Sequence, residues 1–198
     1  MGADRAAACN RLAALPPLLI FVWIMVWYRN STVFGIAQAK CKMRIAIGVD
    51  HRGFPIRARL IPLLQQLGHE VVDEGTTSCD PIDYPDVAAI VARKVGRGEV
   101  DRGILVCGTG IGMCIAANKV SGVRAAPCHD EITAEMSRRH NDLNVLCLSA
   151  DLLGERLIDR IVEIWLNTPF EGGRHARRVE KITALERANL PPTPPSSL

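Results

Sequence analysis

Cys107-Gly108-Thr109-Gly110-Ile111-Gly112 places one reactive sulfur directly before glycines at alternate positions. A thiol works as a base or nucleophile only as its thiolate, and a free thiol with a pKa of about 8.5 supplies a few per cent of that form at neutral pH. Positive potential beside the sulfur is therefore required. Glycines let the backbone turn so that successive N–H groups converge on an oxyanion or phosphate, and a following helix adds partial positive charge. The segment thus fits a proton acceptor beside an anion cradle. It equally fits a tight turn after a strand, with an inert buried thiol. It lacks the Gly-x-x-x-x-Gly-Lys-Ser/Thr spacing of nucleotide-hydrolysing loops. Nor does it open the first βαβ unit of the chain, which argues against a dinucleotide site.

Three other groups carry chemistry. Asp50-His51 offers a carboxylate and an imidazole that could bind sugar hydroxyls or shuttle protons, or else a helix-capping aspartate beside an incidental histidine. His140-Asn141-Asp142 supplies a group that exchanges protons near neutral pH, or a histidine stabilised by the end of a helix. In Gly172-Gly173-Arg174-His175-Ala176-Arg177-Arg178, Arg174 and Arg178 lie four apart on one helical face. That spacing suits capture of a phosphate dianion, although a solvated basic face has the same pattern.

The elements that must position these residues alternate regularly from Met43 onward. Strands are predicted at 44–49, 70–73, 103–106, 123–127 and 145–148, and helices at about 55–67, 86–95, 112–120, 131–140, 152–166 and 174–188. Strands alternating with helices imply an α/β fold: a three-layer, Rossmann-like arrangement with a five-stranded parallel sheet between helices. Asp50-His51, Cys107, Cys128-His129 and Ser149-Ala150-Asp151 fall at the carboxyl ends of strands, where open α/β sheets bind ligands. His140 is expected to reach the same edge.

Composition bounds the rest. A chain of 198 residues, 48% hydrophobic and 23% charged, has room for one domain with a sizeable core. A net charge of +3, without basic blocks interleaved with aromatics, gives no nucleic-acid partner. The seven cysteines form no Cys-x-x-Cys pair and no metal-finger spacing; Cys114, Cys128 and Cys147 sit inside apolar segments and read as small buried hydrophobes in a reducing compartment, and a cytoplasmic location is expected. Residues 1–42 read as an extension outside the fold, residues 43–188 as the domain, and the Pro- and Ser-rich residues 189–198 as a disordered tail. No charge occurs from Leu12 to Tyr28. A translation start at Met43 is the preferred account of this extension; a membrane anchor and a cleaved targeting segment are the alternatives. A membrane partner follows only if the extension is retained.

Gly48-Val49-Asp50-His51-Arg52-Gly53-Phe54, Asp83-Tyr84-Pro85, the Cys107–Gly112 loop, Ala116-Ala117-Asn118-Lys119, His140-Asn141-Asp142 and Gly173-Arg174-His175 together resemble type B ribose-5-phosphate isomerases. That family includes the galactose-6-phosphate isomerase subunits. The resemblance runs from about Met43 to Glu186. It implies aldose–ketose interconversion of a phosphorylated sugar through a cis-enediolate, with no cofactor and no metal. It makes Cys107 the base, His140 the ring-opening group with Asn141 nearby, and Thr109 with Gly108, Gly110 and Gly112 the stabilisers of the oxyanion. Asp50 and His51 would bind the reactive end of the sugar, and Arg174, His175 and Arg178 the phosphate. A homodimer or dimer of dimers, with sites at the subunit interface, is also implied.

One position departs from the resemblance. Asp151 stands where an arginine that helps hold phosphate is common, and Arg52 is unusual in its own motif and offers a compensating cation. Ribose 5-phosphate is the leading substrate. A six-carbon sugar phosphate, such as allose 6-phosphate or galactose 6-phosphate, and a sugar-phosphate-binding protein without catalysis are the alternatives.

Overall fold

The structure is a computed structural model that describes residues 42–188. The expectations for the amino-terminal extension and for the tail at 189–198 lie outside the described residues. Among those described, no helix is long and apolar enough to cross a membrane.

Five strands, β1 (Arg44–Val49), β2 (Glu70–Asp73), β3 (Arg102–Cys107), β4 (Ala125–Pro127) and β5 (Val145–Ser149), form one sheet in the order β2-β1-β3-β5-β4. Every neighbouring pair is parallel. Helices α1 (Phe54–Gln66), α2 (Tyr84–Gly96), α3 (Ile111–Ala117), α4 (Glu131–Asn141), α5 (Glu155–Asn167) and α6 (Arg174–Ala188) follow the expected alternation.

Successive side chains of a strand point to opposite faces, and here both faces are apolar. Ile104, Val106, Leu146 and Leu148 join Leu60, Leu64, Ile158, Ile161 and Trp165 in one core beneath α1 and α5. Leu105, Cys107, Val145 and Cys147 join Val87, Val91, Met113 and Ala117 in the other, beneath α2 and α3. Two cores and one sheet make the three layers.

The differences from expectation are at element ends. Helix α3 stops at Ala117, three residues early, because the Asn118 side chain leaves the helix to pair with the backbone of Ala125. Its Nδ2 donates to the carbonyl (2.8 Å) and its Oδ1 accepts from the amide (2.9 Å). Strand β4 begins at Ala125 rather than Val123, since Arg124 donates its amide to the Asn144 side chain (2.7 Å). Helix α5 begins at Glu155 rather than Leu152, whose amide is held by Ser149 Oγ at 3.0 Å.

Strand order decides where ligands can sit. From β1 the chain crosses to β2 on one side and to β3 on the other, so a crevice opens beyond the carboxyl ends of β1 and β3. Asp50 and Cys107 stand there. Helices in such a sheet run back against the strands, however, so the carboxyl ends of α4 and α5 reach the amino edge. His140 therefore sits at the edge opposite Cys107, and the expectation of one shared edge is corrected. Cys107 pairs in register with Ser149, whereas Gly103 pairs with Val145, four residues down β5 and just after His140-Asn141-Asp142. At about 3.3 Å per residue those levels are about 13 Å apart.

Candidate active site in two halves

At the carboxyl edge, Asp50 is almost fully buried, 3% exposed, and its Oδ1 accepts the amides of Arg52 and Gly53, both at 2.9 Å. The carboxylate thereby fixes the turn into α1 and keeps His51 in place beside it. The Ile82 amide donates to His51 Nδ1 at 3.4 Å, which ties the imidazole to the loop before α2.

Cys107 ends β3 with 5% of its surface exposed, and its Sγ accepts the Gly110 amide at 3.1 Å. Gly110 makes this possible. Its φ of +77° is the left-handed region, and a Cβ there would lie 3.1 Å from the Leu148 carbonyl. Thr109 is exposed beside it, with Oγ1 accepting the Ile111 amide at 3.3 Å. Helix α3 has only seven residues, so an anion at this loop would be held mainly by the loop's own amides. Gly108 completes the turn: its carbonyl accepts Ser149 Oγ at 2.5 Å and the Asp151 amide at 3.1 Å. The side of α3 bearing Ile111 and Ile115, which are 52% and 57% exposed, is apolar and open.

Position 151 has a definite partner. Arg52 Nη2 and Asp151 Oδ1 are 2.9 Å apart, and the other oxygen of Asp151 lies 2.8 Å from where a Cβ on Gly108 would be. Arg52 is therefore not a free cation, and its charge is opposed by the carboxylate it was expected to outweigh.

At the amino edge, the His140 and His175 rings stack with centroids 4.1 Å apart and planes 2° from parallel. His140 ends α4 and His175 lies in the first turn of α6. Between them Glu171 Oε2 lies 3.9 Å from His140 Nε2 and 3.6 Å from His175 Nε2. Arg139 holds Glu171 from the other side through Oε1, and the Glu171 amide donates to the Arg139 carbonyl at 3.1 Å. Those bonds hold the Glu171 carboxyl below its ordinary range, chiefly through Arg139. Burial, with smaller contributions from His140 and Arg174, lowers the pKa of His175 and favours the neutral imidazole. Arg174 Nε donates to His175 Nε2 at 3.2 Å. Asn141, Arg174 and Arg178 are exposed at this end, so the cationic face is open to an anion.

Asp142 belongs to the scaffold. It closes α4 in the left-handed region (φ 46°) and pairs with Arg124 and Arg138, each at 2.9 Å. Glu171 is the site residue that sequence reasoning missed. Its signal was slight: an acid four residues before His175, in a stretch without periodicity.

The structure thus gathers Asp50, His51, Cys107, Gly108, Thr109, Gly110 and Gly112 at one edge. It gathers His140, Asn141, Arg174, His175 and Arg178 at the other.

Comparison with known proteins gives this arrangement its context. The sequence model of the Ribose/Galactose Isomerase family matches residues 45–182. Ribose-5-phosphate isomerase B of Escherichia coli is 49% identical over 144 residues, covering 73% of this chain and 97% of that protein. D-erythrulose-4-phosphate isomerase of Pectobacterium atrosepticum is 46% identical over 142 residues, covering 71% and 93%. Among solved structures, ribose-5-phosphate isomerase B of Clostridium thermocellum superimposes with a TM-score of 0.73 at 47% identity, covering 75% of this chain and 100% of that one. The Mycoplasma genitalium enzyme, solved with bound ribulose-5-phosphate, gives 0.71 at 44% identity, covering 73% and 96%. The chain belongs to the ribose/galactose isomerase family and is an aldose–ketose isomerase.

Proposed function

We propose that the protein interconverts ribose 5-phosphate and ribulose 5-phosphate through a cis-enediolate, in sites that two copies of the chain build together. The observation that carries this reading is the division of the site residues between opposite edges of one sheet. Cys107 and the glycine loop of one copy meet His140, Asn141, Arg174, His175 and Arg178 of the other. The exposed Ile111 and Ile115 beside the Cys107 loop give the second copy an apolar surface to bury.

In this scheme the partner's His140 moves a proton between the anomeric hydroxyl and the ring oxygen, opening the furanose. The Cys107 thiolate then takes the proton from C2. The electron pair passes through the C1–C2 bond to the carbonyl oxygen, and the resulting oxyanion meets the amides of the Gly108–Gly112 loop and Thr109. Return of the proton to C1, with transfer of the O2 proton to O1, gives the ketose. A base alone would not suffice, because removing a single oxyanion donor from a comparable site costs about 10²- to 10³-fold in rate. Arg174, His175 and Arg178 bind the phosphate, far from the reacting carbons, and hold C1 and C2 in register.

The described cysteines, Cys79, Cys107, Cys114, Cys128 and Cys147, are all free thiols, which supports a reducing, cytoplasmic setting. Isomerase assays on wild type and Cys107→Ala, with ribose 5-phosphate, allose 6-phosphate and galactose 6-phosphate in parallel, test the proposal. It expects turnover on the five-carbon substrate to fall by at least about 10²-fold in the variant, the low end of what a placed base contributes. Equal rates in the two proteins overturn the mechanism. Preference for a six-carbon substrate overturns the assignment of substrate, and no turnover in either protein favours a binding role.

A further inference from the structure

His140, Glu171 and His175 bring three donor atoms within 4.8 Å of one another. We infer that these three residues bind a zinc-like divalent transition-metal ion, and that the bound ion inhibits the enzyme by occupying the imidazole of His140. The inhibition rests on the function proposed above; the binding does not.

Two imidazoles and one carboxylate are a donor set that zinc takes with a fourth position left open, at metal–ligand distances of about 2.0–2.2 Å. Donors around such an ion stand roughly 3.3–3.5 Å apart. Glu171 Oε2 is already 3.6 Å from His175 Nε2 and 3.9 Å from His140 Nε2, close to that spacing. The two rings lie face to face in parallel planes, so one imidazole must swing out of the stack before both nitrogens can point at one ion.

The surroundings hold Glu171 and His175 in place. Arg139 engages Oε1 of Glu171 and leaves Oε2 for the ion, an outer contact of the kind that orients ligating carboxylates. The bond from the Glu171 amide to the Arg139 carbonyl ties the acidic residue to α4, the helix that carries His140. Arg174 donates to His175 Nε2, so that nitrogen presents its lone pair in the form that ligates. Arg174 is exposed and would be displaced by the ion. The arginines around the cluster repel any cation, so affinity is moderate. The imidazoles select zinc, copper or nickel over magnesium and calcium.

The test uses the full chain, stripped with EDTA and then titrated with Zn²⁺ against a chromophoric chelator, and separately with Co²⁺. One ion per chain is expected. The cobalt spectrum should show nitrogen and oxygen ligation without a thiolate charge-transfer band, and Zn²⁺ should raise the melting temperature. Glu171→Gln and His175→Gln should each weaken uptake by at least about tenfold, and Arg139→Ala by about 10- to 100-fold. Zn²⁺ should abolish isomerisation, EDTA restore it, and added sugar phosphate raise the concentration needed. No uptake overturns the site. So does uptake unchanged in both the Glu171 and His175 variants, or a thiolate band that disappears in Cys79→Ser. Uptake that depends on these residues while isomerisation continues would leave the metal site standing and overturn the role of His140 in ring opening.

Discussion

Arg52 and Asp151 form an ion pair, 2.9 Å from Nη2 to Oδ1, whose carboxylate overhangs Gly108 in the loop that follows Cys107. The residues are 99 apart in sequence; Arg52 follows β1 and Asp151 follows β5, and β3, paired to both strands, sets their ends near one another. In the proposed site, a carboxylate so close to the Cys107–Gly112 loop would oppose the charge of substrate and oxyanion, and the guanidinium would offset it.

Removing the cation should therefore do harm that removing both charges does not. Arg52→Ala is expected to raise KM for the sugar phosphate about two- to fivefold, the scale of a half-exposed pair, with a smaller change in kcat. Arg52→Ala combined with Asp151→Ala should recover most of that loss. Steady-state kinetics on the two single variants and the double variant measure the coupling. A double variant as weak as Arg52→Ala would show that the arginine acts on substrate directly.

Cys107 and His140 lie at opposite edges, and the proposed site takes one of them from each copy. Cys107→Ala and His140→Ala homodimers should both be inactive. Mixed by co-refolding, half the dimers carry one variant chain of each kind, and such a dimer has one site with both residues intact. Activity of the mixture should approach about a quarter of wild type on this symmetric arrangement. Activity that stays at the level of the separate variants would place both residues in a site within one chain.

The thiols differ in environment enough to be told apart by alkylation. Burial raises Cys128 to about 11, while a hydrogen bond from Cys147 lowers Cys114 to about 7 and raises Cys147 in turn. In the native protein at pH 7.5, iodoacetamide should modify exposed Cys79 and half-buried Cys114, and leave Cys128 and Cys147 intact. Peptide mass spectrometry after timed quenching reads this directly. Sugar phosphate should protect Cys107 without changing the rate at Cys79.

How much of this could be read in the sequence depended on the range of the interaction. The apolar runs of β3 and β5 and the glycines after Cys107 are local patterns, and they located the strand ends that carry Asp50 and Cys107. The polarity of α4 is also implicit in strand–helix alternation. A helix between parallel strands must return to the amino edge, which puts His140 away from Cys107, yet the sequence reading carried it to the same edge. Glu171 lies in the stretch between α5 and α6, where no periodicity marks a side chain. The Arg52–Asp151 pair depends on the β1–β3 and β3–β5 registers, and the early end of α3 depends on Asn118 reaching β4. None of those contacts leaves a local trace.

Helix α4 delivers His140, and its other end is fixed by a group that titrates. Asp130 Oδ1 accepts the Thr133 amide at 2.6 Å, while Thr133 Oγ1 accepts the Asp130 amide at 3.4 Å, forming a capping box. The Thr133 amide is the main reason that the Asp130 carboxyl lies below its ordinary range; the Thr133 hydroxyl, the Ile132 amide and His129 add to the effect. A carboxyl depressed by folding contributes stability that is fully present above its unfolded value of about 3.9, and that is lost as pH falls through the folded value. Asp130→Ala should therefore lower the urea midpoint at pH 7, and the gap from wild type should narrow as pH falls below about 4. Asp130→Asn, which keeps an accepting oxygen but cannot ionise, should show a smaller gap at pH 7 and less narrowing. Urea titrations of the three proteins between pH 7 and pH 3 supply the comparison. A gap that stays constant across that range would mean that the charge of Asp130 does not stabilise α4.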